Sequence, residues 1–165
     1  MRRSVLLSLI IAGFLLFGGV ASVNAQQTLF GLGPKIGLYL DGPVFLIGGV
    51  VELPVTREWI FEPGVELVFE QNSTTRIVGD ANVRYAFQIR GEDFSPYLLG
   101  GAGLALDISS RGGETQTQTD FRLNVGGGVT LNTRSSTQYW GGLKIFFLSE
   151  DDSDISLQGG ILFYL

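Results

Sequence analysis

From Leu29 onward the chain alternates apolar and polar residues with a period of two, and wherever a segment carries several charges they share one parity. Trp59 to Glu70 shows it best. Its odd positions are Trp59, Phe61, Pro63, Val65, Leu67 and Phe69, and its even positions include Glu62, Glu66 and Glu70. In the next segment Ile77, Gly79, Ala81, Val83, Tyr85, Phe87 and Ile89 share one face, with Arg76, Asp80, Asn82, Arg84 and Gln88 on the other. A pattern of period two cannot bury one face as a helix, so the fold class expected is all-β.

Carried along the chain, the alternation predicts eight strands at about 29–40, 44–55, 59–70, 76–89, 96–108, 120–131, 137–148 and 155–165. The breaks between them are rich in Gly, Asp, Asn, Ser and Thr, as in Asp41-Gly42-Pro43 and Asn72-Ser73-Thr74-Thr75. Ser109 to Thr119 and Ser149 to Asp154 are read as the longer connections. Strands of about 11 to 14 residues exceed the five or six usual in soluble domains and suit a tilted bilayer crossing of about 9–11. An even number of antiparallel strands can close on itself and leave no edge in lipid. The expectation is a closed antiparallel eight-stranded up-and-down transmembrane β-barrel.

The charges set which face is which. Lys35, Glu52, Glu62, Glu66, Glu70, Arg76, Asp80, Arg84, Asp107, Asp120, Arg122 and Lys144 are assigned to the lumen, and the opposite face carries none. That opposite face holds Leu32, Ile36, Leu38 and Leu40 on the first strand and Leu123, Val125, Val129 and Leu131 on the sixth. Exposed to water, such a band would exceed the few hundred Å² a soluble monomer tolerates. The alternative is a soluble lipocalin-like barrel with the apolar face inside, binding a hydrophobic ligand. It would leave Trp140 and Phe146 on the surface beside Arg122 and Lys144. Outward aromatic residues gather near the strand ends, with Phe30, Trp59, Phe61, Tyr85, Phe87, Tyr139 and Phe163 at one rim and Phe69, Phe121 and Phe147 at the other.

Residues 1–25 read as a cleaved signal peptide, with Arg2 and Arg3 before an apolar core from Val5 to Val20 and a small-residue cleavage site at Val23 and Ala25. The domain expected is 26–165, in a protein exported from the cytoplasm. Without Arg2 and Arg3, nine basic residues face sixteen acidic ones, a net charge of −7, which excludes a nucleic-acid partner. The chain has no cysteine, so disulfides, thiol chemistry and an acylated-Cys anchor are excluded. It has no histidine either, which removes the commonest general base and metal ligand.

The glycine-rich segments Ser95-Pro96-Tyr97-Leu98-Leu99-Gly100-Gly101-Ala102-Gly103 and Phe121-Arg122-Leu123-Asn124-Val125-Gly126-Gly127-Gly128 resemble paired strands of the OmpA/OmpX-like outer-membrane β-barrel family. The resemblance spans the mature chain. It implies a bacterial outer-membrane location with both termini periplasmic, lipid and lipopolysaccharide as surroundings, and a monomer. It also implies recognition by the barrel assembly machinery through a C-terminal signal matched by Gln158, Gly160 and Phe163, where Leu165 replaces the usual final aromatic. Longer members carry a periplasmic peptidoglycan-binding domain, which is not expected in a chain ending at Leu165. The Ser109–Thr119 and Glu150–Asp154 connections would face the cell exterior.

Specific chemistry is sparse. Glu62, Glu66 and Glu70 form a column on one strand face rather than a catalytic dyad, and their expected role is pairing with lumen cations such as Arg84. The glycine runs lack the Lys-Ser/Thr of a phosphate loop. Glu150-Asp151-Asp152-Ser153-Asp154 lacks the glycine and distant Glu of an EF-hand, so a solvated turn is expected ahead of a weak divalent-cation bridge. Outer-membrane barrel enzymes of similar size resemble one another in using a catalytic His, absent here; a lipid-modifying enzyme is the remote alternative. No catalytic residue, metal or cofactor is assigned, and no channel activity is expected from an eight-stranded barrel filled by side chains.

Overall fold

The structure, a computed structural model, describes residues 30–69, 74–89, 91–111, 114–132, 136–148 and 153–165. The signal segment with Val23 and Ala25, Glu70, and the acidic positions Glu150 to Asp152 lie outside the described residues. Eight strands follow in chain order: β1 (Gly31–Tyr39), β2 (Val44–Pro54), β3 (Trp59–Phe69), β4 (Thr74–Ala86), β5 (Phe94–Arg111), β6 (Glu114–Asn132), β7 (Thr137–Leu148) and β8 (Ser153–Tyr164). Each pairs antiparallel with its sequence neighbours, and β1 pairs with β8 to close the barrel. Backbone bonds from Leu40 N to Ile155 O (2.8 Å) and from Leu165 N to Phe30 O (3.1 Å) carry that closure past both ends of β1.

The stagger of the barrel follows from the register. Stepping across paired residues from Tyr39 through Ser156, Lys144, Gly126, Leu99, Arg84 and Ile60 to Pro54 ends two residues past Glu52, the partner of Gly31, and so ten positions below the start. That displacement over eight strands tilts them by about 40° to the axis. The outward Trp59 and Phe69 sit at opposite ends of β3. Their separation is about 33 Å along the strand and about 25 Å along the axis, the height of an apolar band that fits a bilayer.

One expectation fails. Ser109 to Thr119 is not a loop: β5 and β6 run through it as a long hairpin paired as far as Arg111 and Glu114. Thr115, Thr117 and Thr119 alternate with Gln116 and Gln118, so the segment lacks apolar residues but not β-branched ones, and a polar strand was mistaken for a connection. The acidic segment is shorter than expected as well, because Ser153 and Asp154 begin β8 and pair with Phe147 and Phe146. At the β2–β3 turn the Thr56 hydroxyl accepts from the backbone N–H of Glu58 (3.2 Å) and Trp59 (3.1 Å), which fixes the reversal. Gly91, at φ 86°, supplies a left-handed residue in the β4–β5 turn.

Inward positions are odd on β1 and β5 and even on the other six strands, and every charged strand residue whose side chain is described occupies one. The outward positions carry large apolar side chains that stay exposed, among them Ile36, Val65, Leu98, Phe121 and Leu157. The barrel is polar inside and apolar outside. Toward the end away from the termini, Tyr39, Leu46, Val68, Val78, Ala105 and Phe146 form an apolar layer across the lumen.

Candidate functional site: the charged lumen

Eight buried charges fill the lumen: Lys35, Arg84, Arg122 and Lys144 against Glu52, Glu62, Glu66 and Asp80. Buried charges persist only when paired and hydrogen-bonded, and the tilted strands bring residues distant in sequence to one level. At the centre Lys35 Nζ donates to Glu66 Oε1 (2.8 Å) and Lys144 Nζ to Asp80 Oδ2 (2.7 Å). Arg122 Nη2 donates to Glu66 Oε2 (3.3 Å), while its Nη1 donates to the Tyr39 hydroxyl (3.0 Å), which in turn donates to Glu66 Oε2 (3.3 Å). Gln158 Nε2 reaches Glu66 Oε1 (3.3 Å). Glu66 thus gathers partners from β1, β6 and β8.

Nearer the termini, Arg84 Nη2 donates to Glu52 and its Nη1 lies 3.3 Å from Glu62 Oε2. The Tyr164 hydroxyl lies 2.5 Å from Glu52 Oε2 and 2.8 Å from Gln138 Oε1, and the guanidinium of Arg84 stands over the Tyr97 ring at 4.9 Å. Inward glycines make room for these long side chains. A Cβ on Gly64 would stand 3.1 Å from Lys35 Nζ, and one on Gly128 or Gly142 would stand 2.6 Å from the Tyr97 hydroxyl.

At the opposite end Arg76 grips Asp107 with a two-bond fork, Nε to Oδ1 at 2.6 Å and Nη2 to Oδ2 at 3.0 Å, both groups half-buried. Asp120 accepts from Gln118 Nε2 at 3.2 Å. Arg122 lies 4.0 Å over the Phe146 ring, so the apolar layer carries one of the buried cations. On the terminal side a vestibule of about 800 Å³ opens, floored by Arg84, Tyr164, Gln138 and Thr130 and walled by Ile60 and Ile89.

The described glutamates of β3 pair with lumen cations, and Glu70 lies outside the described residues. Glu62 meets Arg84, but Glu66 pairs across the lumen with Lys35 and Arg122, and Arg76 pairs with Asp107. Of the C-terminal residues, Gln158 and Gly160 face inward, whereas Phe163 and Leu165 are exposed. Asn82 is buried on the polar face where the alternation puts it, whereas reasoning from charge does not single out Tyr39, Ser156 and Asn124, although their inward parity is visible in the sequence. No group of three or more His, Cys, Asp or Glu among the described residues is placed to hold a metal ion.

No protein-family model matches the sequence, and comparison with curated proteins gives no match. Solved structures do match in fold. The N-terminal β-barrel domain of Pseudomonas aeruginosa OprF aligns with a TM-score of 0.72 at 14% identity, over 84% of this chain and 98% of that one. Neisserial surface protein A, NspA, aligns at 0.66 and 13% identity over 84% and 96%. Ail, the attachment invasion locus protein of Yersinia pestis, aligns at 0.60 and 16% identity over 84% and 97%. The chain therefore folds as the small eight-stranded β-barrel shared by the OprF N-terminal domain, NspA and Ail.

Proposed function

We propose that this chain is an integral outer-membrane β-barrel with a structural or surface-interaction role, its lumen closed to ions by paired side chains, and that it is not an enzyme. The observation that carries the reading is the inverted distribution of polarity. Every charged strand residue whose side chain is described faces the lumen, while large apolar side chains such as Ile36, Val65, Leu98, Phe121 and Leu157 are exposed outside, a surface that water disfavours and lipid requires. The aromatic cluster of Trp59, Tyr85 and Phe87, with edge-on rings 5.0 Å apart, suits the interface between acyl chains and headgroups. The kinship in fold with OprF, NspA and Ail supports an outer-membrane location. Targeting by residues 1–25 and assembly through Gln158, Gly160, Phe163 and Leu165 belong to the same proposal. So do a monomeric state and the lipid and lipopolysaccharide surroundings.

Fractionation tests it. The protein should sediment with outer membranes, resist extraction by salt and alkali, dissolve in detergent, and migrate differently on gels before and after boiling. Recovery in the soluble periplasmic fraction would favour the lipocalin-like alternative instead.

A further inference from the structure

Beyond the barrel wall β6 runs on with a partner on one side only. Its pairing with β7 ends at Arg122 and Leu148, whereas its pairing with β5 continues to Arg111 and Glu114. Residues 114–121, about 27 Å of extended chain, therefore have no described strand along their other edge. The β5 side of the same hairpin is covered, because β4 pairs with it as far as Thr74 and Ser109. β7 and β8 cannot follow β6 far outward: four residues separate Leu148 from Ser153, and Ser153 already pairs back with Phe147.

Sheet edges are commonly blunted by proline, lysine or a bulge. This one is not. Residues 115–119 read Thr-Gln-Thr-Gln-Thr, and the register with β5 is free of bulges down to Glu114. The branched Cβ of threonine keeps the backbone extended. A regular edge of this kind offers its backbone N–H and C=O groups to any extended segment, which can add as a further strand.

Charge selects the segment. In residues 26–165 the eight buried lumen charges cancel. The connections on the terminal side carry Arg57, Arg90 and Arg134 against Glu58, Glu92 and Asp93, and cancel as well. The whole net charge of −7 therefore belongs to the other end, where Arg76 and Arg111 stand against nine acidic residues from Asp41 to Asp154. Two copies pairing edge to edge would bring two such ends together, so a second copy is repelled, while a cationic segment is drawn in. We infer that the free edge of β6 is a docking site for an extended, lysine- or arginine-rich segment of another protein, which adds beside residues 114–121 as a further strand. Backbone bonds supply the affinity and the acidic end supplies the selectivity.

That such a partner comes from outside the cell rests on the membrane reading; the edge and its charge do not, so a test in micelles of uncharged detergent separates the two. The probe is a short peptide alternating lysine and valine. Its controls are a lysine–proline repeat of equal charge, which cannot form a strand ladder, and a glutamate–valine repeat. The lysine–valine peptide should slow amide hydrogen exchange several-fold at alternate residues of 114–121, the others being bonded to β5 already. It should bind several-fold more tightly than the lysine–proline repeat, and the glutamate repeat should not bind. Thr117 and Thr119 are exposed, and Thr117→Lys with Thr119→Lys should weaken binding several-fold. Equal affinity for the two lysine peptides, or unchanged exchange in β6, would mean that charge alone holds the peptide and would overturn the site. Tight binding of the glutamate repeat, self-association through β6, or unchanged affinity in the double variant would overturn it too. If the double variant does not refold, the peptide comparison on the unmodified protein decides.

Discussion

Arg84 is 2% exposed and holds two carboxylates, Glu52 and Glu62, that are buried on neighbouring strands. Arg84→Ala should therefore cost about 3–5 kcal/mol, because it strands uncompensated charge rather than merely removing a bond. Arg76→Ala cuts an ion pair that is about one-fifth exposed, and should cost about 1 kcal/mol or less. Urea midpoints after refolding into lipid vesicles measure both; equal effects would mean that water reaches Arg84 as freely as Arg76. The parity of the charged residues can be read from the sequence, but their partners cannot. Lys35 and Glu66 lie 31 residues apart on β1 and β3, and Glu66 and Arg122 lie 56 apart on β3 and β6. Which of them meet depends on the ten-residue stagger, a property of the closed barrel that no local pattern encodes. Tyr39 and Asn124 are harder to single out for a different reason: charge marks the lumen in the sequence, and neutral polar groups carry none.

Along each strand, alternation fixes the outward face, and that face predicts its own sensitivity. Leu143 lies in the middle of β7, half exposed, between Gly127 and Leu157 on the neighbouring strands. Leu143→Arg should destabilise the barrel by about 2–4 kcal/mol, the cost of a cation at the lipid midplane; a near-neutral effect in a lipid refolding titration would count against the membrane assignment. Strand existence was legible wherever apolar residues mark one parity, as in β3 and β7, whose expected limits differ from the observed ones by at most one residue. It was not legible where both parities are polar. The Thr-Gln repeat of β6 offers no contrast between faces, so only the Gly112-Gly113 pair remained as a turn mark in that stretch. The hairpin also orients the barrel. It ends opposite to the termini, so with periplasmic termini its tip faces the cell exterior. An epitope inserted at Gly113 should be labelled on intact cells, and one inserted at Arg134, in the β6–β7 connection on the terminal side, should not. The reverse labelling would invert the topology.

At the scale of the whole molecule, barrel size, stagger and interior chemistry bear on one property, the passage of ions. Eight strands enclose an interior that side chains can fill, and here four cations and four carboxylates occupy it in bonded pairs. Above them the layer of Tyr39, Leu46, Val68, Val78, Ala105 and Phe146 crosses the lumen, with Arg122 lying against the Phe146 ring. An ion entering from the vestibule would have to displace the Arg84–Glu52 pair, pass the Glu66 cluster, and then shed its hydration against that apolar layer. The first two barriers are electrostatic and could in principle be exchanged for other pairings; at the third the polar groups at hand, the Tyr39 hydroxyl and Arg122, are already bonded to each other and to Glu66. The refolded protein should therefore show no stable, defined conductance steps in planar bilayers at moderate voltage. Replacing Phe146, the largest apolar group in that layer, with Ser should permit brief openings, because it removes bulk where the path is driest. Defined open channels in the unmodified protein would show that the apolar layer does not seal the lumen, whatever the charge pairs do.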